Sequence, residues 1–384
     1  MCEGASFIYS DKFLSYKFRE NHPFNQVRIQ ITLDLLKKMN AIDAKQIIEP
    51  RAATDAEIAL IHTPEYIDIV KRAGAGEIGA DETMPYGIGS EDTPIFENMH
   101  EISALVVGGT LTAVESIMEG GFCSSLNIGG GLHHGFSNKA SGFCIYNDSA
   151  IAIKYLVSKY NLRVLYIDTD GHHGDGVQDA FYDNKQVCTL SIHETGRYLF
   201  PGTGHVNERG RGAGYGYTFN VPIDAFTEDE SFISVYEKAA TEVAEYFQPD
   251  IIITQNGADS HFLDPLTHLN TSIESFKVIP RIAHKLAKKY CDGRWIAVGG
   301  GGYDIWRVVP RAWSLVWLEM NGLSNLACGK LPEEWVKKWQ GYSPLILPEF
   351  WEDNKELIPK VLRKAEINEF NKITLDRALS ILYY

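Results

Sequence analysis

The chain of 384 residues is poor in cysteine, and its cysteines do not cluster. They are Cys2, Cys123, Cys144, Cys188, Cys291 and Cys328. Because none of them forms a Cys-x-x-Cys pair, the spacing argues against a four-cysteine structural zinc site and against a disulfide framework. The hydrophobic fraction of 45% and the charged fraction of 22% are ordinary for a globular protein, which argues against disordered and collagen-like classes.

Basic residues and long apolar runs are also scarce. The chain has 36 Lys and Arg residues against 50 Asp and Glu residues, for a net charge of −14. We therefore expect no direct binding of nucleic acid, which requires clustered basic residues. No apolar run reaches the 18 or so residues of a membrane span, and residues 1–16 lack the pattern of a signal peptide. These absences predict a cytoplasmic protein without membrane contact.

Short apolar segments alternate with amphipathic segments through the middle of the chain. The clearest predicted strands are residues 124–128, 163–168, 187–192, 250–254 and 295–298, and the predicted helices between and after them are residues 149–160, 230–248, 275–291 and 307–320. Strands that are apolar throughout, not alternately, are typical of a parallel sheet covered on both faces. The pattern predicts an α/β fold with three layers, α/β/α, around a mainly parallel central sheet.

The two ends of the chain have different patterns. Before the sheet series, we predict a strand at residues 6–10, helices at 25–39 and 95–119, and a long acidic, glycine-rich loop at 74–94. The last residues are rich in Trp, Lys and Glu and too apolar for a free linker. We predict one domain over residues 1–329 and a helical extension over 330–384 that packs on its core.

Each predicted central strand ends in polar or glycine residues of catalytic type. In chain order these ends are Gly129 to His134, Asp168 to Gly176, Ser191 to His193, Gln255 to Asp259, and Gly299 to Tyr303. Because ligands of open parallel sheets bind beyond the carboxyl ends of the strands, we expect these residues to meet at one edge.

Three of these residues form a candidate metal site. Asp170 and His172 are two positions apart, so an extended segment directs both side chains the same way, and Asp259 adds a third ligand. Three ligands with an open position are typical of a catalytic divalent ion. Two carboxylates and an imidazole suit Zn²⁺, and also Fe²⁺ or Co²⁺. The alternative interpretation, aspartates that cap helices and histidines that pack, is weaker for the whole set than for any one residue.

The tandem His133 and His134 predict acid/base chemistry next to that site. Each imidazole needs an acceptor that orients it, and Asp168 and Asp175 are available. Tyr303 follows four glycines, which favours close backbone approach to a ligand and a phenol donor.

These motifs resemble the zinc-dependent histone deacetylase superfamily, in its bacterial class I-like branch, and are most similar to the acetoin-utilisation deacetylases. The resemblance extends from His22-Pro23 to about Leu323 and is carried by Asp168-x-Asp170-x-His172-His173-Gly174-Asp175-Gly176, by Gly142-Phe143-Cys144 and by the glycines before Tyr303. It implies an arginase- and deacetylase-like sheet and an amidohydrolase that removes acetyl groups from lysine side chains of an acetylated protein or peptide.

The resemblance also implies a role for each matching residue. It makes Asp170, His172 and Asp259 the ligands of Zn²⁺ (or Fe²⁺), His133 and His134 the general base and acid, hydrogen-bonded to Asp168 and Asp175, and Tyr303 the donor to the oxyanion.

The resemblance further implies a substrate channel and two K⁺ sites. An acyl-lysine channel is lined by Gly142, Phe143, Phe200, Leu266 and Gly301, with Asp92 at its rim and Arg28 at an acetate channel. One K⁺ is implied near Asp168, Asp170, His172, Ser191 and Ile192, and a second near Phe181, Asn184, Val187 and Tyr217.

Three alternatives stay open at the level of sequence. Acetylpolyamines are an alternative substrate, because an acidic mouth suits a polyamine as well as a basic peptide. A binuclear manganese ureohydrolase of arginase type would share the sheet but would need a second metal. A catalytically silent acetyl-lysine reader would be expected to have lost a ligand or the tyrosine, and both are present here. The oligomeric state is not predicted.

Overall fold

The protein, described by a computed structural model for residues 4–383, is built on one eight-stranded sheet. Its strands in chain order are β1 (Ala5–Ile8), β2 (Ile47–Ile48), β3 (Ser124–Asn127), β4 (Val164–Asp168), β5 (Val187–Glu194), β6 (Thr218–Ile223), β7 (Ile251–Gln255) and β8 (Trp295–Val298). Their order across the sheet is β2-β1-β3-β8-β7-β4-β5-β6, and neighbouring strands pair in parallel. The prediction of a parallel α/β sheet is confirmed.

Helices cover both faces of the sheet. In chain order they are α1 (Val27–Lys38), α2 (Asp55–Ile58), α3 (Pro64–Gly74), α4 (Ala80–Thr83), α5 (Met99–Met118), α6 (Asp148–Tyr160), α7 (Asp175–Phe181), α8 (Asp229–Phe247), α9 (Ile273–Tyr290), α10 (Val309–Met320), α11 (Glu333–Gln340) and α12 (Lys364–Leu379). A continuous layer runs from α1 through α10, α9 and α8 to α12, and α5 packs with α6 and α3 in another. The architecture therefore has three layers, α/β/α, as predicted.

The helix α5 is largely apolar. It is long and apolar enough to cross a membrane by length and composition, yet 67% of its apolar window is buried inside the fold. Its neighbours include β1, β3 and α6, and its Val107 and Leu111 side chains are fully buried. In this structure α5 is a core helix.

Residues 330–383 pack against the rest of the chain through α11 and α12. The indole N–H of Trp335 in α11 donates to the Ile31 carbonyl of α1 at 3.1 Å. The helix α12 lies against β6 and α8, and Asn371 donates to Thr227 at 2.8 Å. By covering β6, α12 shields an edge strand of the sheet.

Part of the predicted loop at residues 74–94 was wrong. The short helix α4 lies inside it, followed by a 3-10 turn at Met84–Tyr86. The Glu82 carboxylate accepts the Gly79 N–H at 3.2 Å, which caps the helix start that the glycine content obscured.

Candidate active site

Three buried side chains from two loops meet at the carboxyl end of the sheet. Asp170 and His172 lie in the loop after β4, and Asp259 lies in the loop after β7. Their ligand atoms all lie within 4.8 Å of one another. His172 Nδ1 is 3.2 Å from Asp170 Oδ1 and 2.8 Å from Asp259 Oδ2. The structure thus brings the three predicted metal ligands together.

Backbone N–H groups of two glycines, one after β8 and one after β4, hold these carboxylates. The Gly301 N–H donates to Asp170 Oδ2 at 2.6 Å, and the Gly171 N–H donates to Asp259 Oδ1 at 2.8 Å. A Cβ atom at position 301 would overlap the Asp259 carboxylate, so only glycine allows the backbone to approach this closely.

The chemistry of this donor set fits a divalent metal ion. Two carboxylates buried side by side are costly unless a cation compensates their charge. Burial and the neighbouring carboxylate of Asp170 raise the pKa of Asp259 to about 6, against an ordinary value near 4. Oxygen and imidazole donors at this spacing are those of mononuclear divalent sites.

His133 and His134 each contact the acid predicted to orient it. His133 Nδ1 lies 2.8 Å from Asp168 Oδ2, and His134 Nδ1 lies 2.6 Å from Asp175 Oδ1. The two rings are 4.0 Å apart between centroids. Because Nδ1 of each ring faces a carboxylate, Nδ1 carries a hydrogen and donates it, and Nε2 is not used in this hydrogen bond.

The two imidazoles have opposite pKa shifts. Burial would lower the pKa of His133, but the carboxylates of Asp168 and Asp170 outweigh burial and raise it to about 9. Burial and the neighbouring His133 lower the pKa of His134 to about 4. At neutral pH these shifts favour a protonated His133 and a neutral His134.

A pocket of about 230 Å³ leads to these groups. Its walls are Asp92, His134, Gly142, Phe143, His172, Leu199, Phe200, Leu266 and Tyr303. Phe143 meets the Tyr303 ring edge-on at 5.8 Å between centroids, and Phe200 meets His134 edge-on at 5.0 Å. Gly142 has φ +49°, and a Cβ atom there would overlap the His134 ring.

The Tyr303 side chain faces this pocket from the loop after β8. Its backbone N–H donates to Asp264 Oδ2 at 2.7 Å, which fixes the start of the loop. Burial and the carboxylates of Asp259 and Asp170 raise the pKa of the Tyr303 phenol well above its usual range. The phenol consequently keeps its hydrogen and is a donor.

Other predicted residues lie outside the pocket walls. Arg28 is buried behind the glycine run, where its Nη1 donates to the Gly302 carbonyl at 2.9 Å. Its guanidinium lies over the rings of Phe24 and Trp313, at 4.6 and 4.8 Å from their centroids. Gly301 contributes only its backbone, as described above.

The first group of residues predicted to bind K⁺ combines Asp168 and the candidate metal ligands Asp170 and His172 with two residues of β5. Ser191 of β5 pairs in register with Asp168 of β4, and its hydroxyl lies 2.8 Å from His193 Nδ1. Ile192 is fully buried. Of the second group, Phe181 ends α7 and accepts the Asn184 N–H at 2.9 Å, Val187 begins β5, and Tyr217 accepts the Thr189 N–H at 2.9 Å.

Sequence reasoning missed several residues that shape the pocket. Leu199 is a wall residue, and Asp264 holds the loop of Tyr303. Asp148, at the start of α6, accepts the N–H groups of Gly131 and Leu132 and so shapes the turn before the histidines. Asp264-Pro265 was a detectable turn signal, whereas the roles of Leu199 and Asp148 depend on the paths of their loops.

Comparisons with known proteins all indicate one family. The histone deacetylase domain family matches residues 22–320. The chain is 59% identical to the acetoin utilization protein AcuC of Bacillus subtilis (strain 168), covering 97% of this chain and 96% of the relative. It is 46% identical to AcuC of Staphylococcus xylosus, covering 99% and 98%.

Two solved structures share the fold. A crystal structure of an HDAC homolog from Aquifex aeolicus has a TM-score of 0.83 at 32% identity, covering 98% of this chain and all of that one. A crystal structure of an HDAC homolog complexed with SAHA has the same TM-score at 30% identity and the same coverage. The resemblance drawn from the strand-end motifs is confirmed: the chain belongs to the histone deacetylase family, a family of metal-dependent deacetylases.

Proposed function

We propose that the protein is a zinc-dependent lysine deacetylase that converts acetyl-lysine and water to lysine and acetate in protein or peptide substrates. One observation carries the proposal. The phenol of Tyr303, the imidazole of His134 and the imidazole of His172 from the candidate metal cluster lie on the walls of one narrow pocket. An amide that enters this pocket meets a proton acceptor, an oxyanion donor and a metal ligand set together.

Asp170, His172 and Asp259 would hold the metal ion. A single divalent ion bound there supplies a Lewis acid for the amide carbonyl and lowers the pKa of a coordinated water. Zn²⁺ is favoured because it combines carboxylate and imidazole ligands with an open position, and Fe²⁺ fits the same donors.

His134 is placed to move the proton. Its Nδ1–H is donated to Asp175, so Nε2 is available on the pocket side as a base toward water and then as an acid toward the leaving lysine amine. His133 is not a wall residue; its Nε2 lies 3.9 Å from Asp170 Oδ1. We therefore assign His133 a charge-stabilising role behind His134, with Asp168 as its acceptor.

Tyr303 donates its hydroxyl hydrogen to the oxygen that becomes negative as water adds. Removing a donor of this kind typically raises a barrier by roughly 3–4 kcal/mol. Asp264 is a positioning residue here, because it holds the Tyr303 N–H and not the phenol.

The remaining walls suit an extended acyl-lysine chain. Phe143 and Phe200 contact its methylene groups, Gly142 and Leu266 complete the sides, and the Asp92 carboxylate accepts substrate backbone N–H groups at the rim. Arg28 would attract the acetate product behind the glycine run, and K⁺ bound near Ser191 would reinforce the loop after β4. A cytoplasmic location is part of the proposal and is tested by cell fractionation.

The decisive experiment is a substrate panel with purified protein of known metal content. The panel contains acetyl-lysine peptides, longer acyl-lysine peptides and acetylpolyamines, with released amine and acetate quantified, and Asp259→Asn as the inactive control. We expect the highest kcat/KM on acetyl-lysine peptides and one metal ion per chain. Turnover of acetylpolyamines alone would replace the substrate assignment, and two metal ions per chain would favour a ureohydrolase-like site.

A further inference from the structure

A second, larger pocket lies beside the proposed active site. This side cleft has a volume of about 640 Å³. Its apolar walls include Tyr198, Ala225, Phe226, Val361, Leu362 and Ile367. Three of these side chains are strongly exposed: Tyr198 at 61%, Phe226 at 54% and Leu362 at 98%. Exposed apolar residues gathered in one concave site indicate a binding surface more than isolated surface residues do.

The side cleft opens at the same edge of the sheet as the catalytic pocket. Ala225 and Phe226 directly follow β6, and Tyr198 follows β5, so both walls stand at carboxyl ends of strands. The carboxyl edge is where open parallel sheets bind their ligands. Residues 359–363 close the side cleft from the C-terminal part of the chain.

The two pockets share two loops. Tyr198 lines the side cleft, while its neighbours Leu199 and Phe200 line the catalytic pocket. Likewise His268 lines the side cleft, and Leu266 lines the catalytic pocket. Sequence neighbours on the same two loops therefore line the two pockets, which places the side cleft next to the catalytic pocket.

The backbone holds Phe226 in an unfavourable conformation that keeps its ring at the side cleft. Its φ is +63°, a left-handed region that aromatic residues seldom occupy. The Phe226 N–H donates to the His268 carbonyl at 2.8 Å, which fixes this turn against the shared loop. A strained residue that exposes an aromatic ring, where burial would be favourable, points to a role in binding.

We propose that the side cleft binds a large apolar side chain of the polypeptide substrate, two to four residues from the acetyl-lysine. This rests on the proposed deacetylase function and names the class of substrate. An extended peptide advances about 3.3 Å per residue, so two to four residues span about 7–13 Å, enough to pass from the rim over the Tyr198–Phe200 segment. An acetylpolyamine has no side chain to fill the side cleft, so the side cleft would not strengthen its binding.

The test compares matched peptides and exposed-residue variants. Acetyl-lysine peptides that differ only by Phe or Ser at each position from ±2 to ±4 are assayed with wild type, Leu362→Asp and Phe226→Asn. Asn tolerates the left-handed backbone of position 226, and Leu362 is fully exposed, so both variants should fold. Ile346→Asp, at a residue that is 87% exposed and lines neither pocket, is the matched control. An acetyl-lysine methylamide without flanking residues reports the catalytic pocket alone.

We expect wild type and Ile346→Asp to prefer at least one Phe peptide by roughly tenfold in kcat/KM, and the two side-cleft variants to lose this preference. The methylamide should be hydrolysed equally by all four proteins. No Phe preference, or a preference unchanged in both side-cleft variants, overturns the proposal.

Binding of the deacetylated Phe peptide, measured by fluorescence anisotropy, separates the side cleft from the proposed function. Suppose that no acetyl-lysine substrate is hydrolysed, but that wild type binds the Phe peptide and Leu362→Asp binds it more weakly. That result would support the side cleft as a binding site and reject the deacetylase assignment. Hydrolysis of the methylamide without any Phe-dependent binding would retain the deacetylase and reject the side cleft.

Discussion

Asp353, close to the end of the chain, accepts a hydrogen bond at 2.9 Å from Nε2 of His261, two residues beyond Asp259. The His261 tautomer is fixed, because its Nδ1 accepts the Leu263 N–H at 3.2 Å. Asp353 also accepts from Arg311 at 2.8 Å and from the Ile273 N–H at 2.8 Å. One carboxylate from the C-terminal segment thus joins α9, α10 and the loop that carries a candidate metal ligand.

We expect Asp353→Ala to destabilise the fold by about 3–5 kcal/mol, because it leaves the Arg311 guanidinium, which is 1% exposed, buried without its partner. Urea unfolding measures the change. The control is Asp376→Ala, which removes an exposed ion pair with Lys238 and should cost less than about 1 kcal/mol. Equal effects of the two substitutions would contradict a structural role for Asp353.

The contribution of Asp353 should depend on pH in one direction. Burial would raise the pKa of Asp353, but His261 and Arg311 outweigh burial and hold it well below its usual range. A carboxyl whose pKa is lower in the folded state stabilises the fold above its unfolded pKa of about 3.9 and loses that contribution as pH falls. The difference in free energy of unfolding between wild type and Asp353→Ala should therefore shrink as the pH falls below about 4; a difference that grows below pH 4 would reverse the sign argued here.

Replacing Tyr303 by Phe should lower kcat by about 100- to 1,000-fold, because the ring stays in place and only the oxyanion donor is removed. Metal content, measured by mass spectrometry, should be unchanged. Tyr342→Phe is the matched control, because Tyr342 is 71% exposed and lines neither pocket. Near-normal turnover of Tyr303→Phe would remove the phenol from the mechanism.

Chelation should abolish hydrolysis, and added Zn²⁺ should restore it, because the proposed chemistry needs a Lewis acid between Asp170, His172 and Asp259. Asp259→Asn should bind Zn²⁺ at least tenfold more weakly in a competition titration, since it replaces a charged ligand by a neutral one. Asp292→Asn, at a carboxylate 93% exposed, should bind like wild type. Full activity of metal-free protein would refute the metal assignment.

Replacing Gly142 by Ala should lower kcat more than tenfold, because the added Cβ overlaps the His134 ring and displaces the base. Gly76→Ala separates this effect from backbone strain. Gly76 also has a positive φ, +73°, but no atom lies within 4 Å of an added Cβ. Gly76→Ala should lose about 1 kcal/mol of stability from backbone strain, Gly142→Ala should lose more because of the added overlap, and only Gly142→Ala should lose activity.

The sequence predicts the centre of the sheet well and its edges poorly. Central strands such as β4 and β7 are covered on both faces, so each begins with a continuous run of apolar or aromatic residues, which makes the pattern easy to recognise. The edge strand β6 includes Asn220 and Pro222, and β2 is only two residues long. Neither contains a run of apolar residues that would distinguish it from a loop.

The site residues also divide into those that the sequence predicts and those that it does not. The candidate metal ligands and histidines were identifiable because each stands a few residues after a central strand, and a parallel sheet gathers those positions. Leu199 and Tyr198 were not, because their places depend on the path of a loop through glycines 196, 202 and 204. Propensity does not determine that path; contacts with the loops after β6 and β7 do.

The position of β8 has a consequence for synthesis of the protein. It is the last strand in the sequence, yet it lies in the middle of the sheet, hydrogen-bonded to β3 on one side and to β7 on the other. On the ribosome, the strands made earlier can form only two unjoined halves, one bearing the histidine pair and the other bearing the aspartates. Insertion of β8 joins the two halves and brings in Tyr303 in the same event, so the residues of the proposed active site come together only when the sheet is whole.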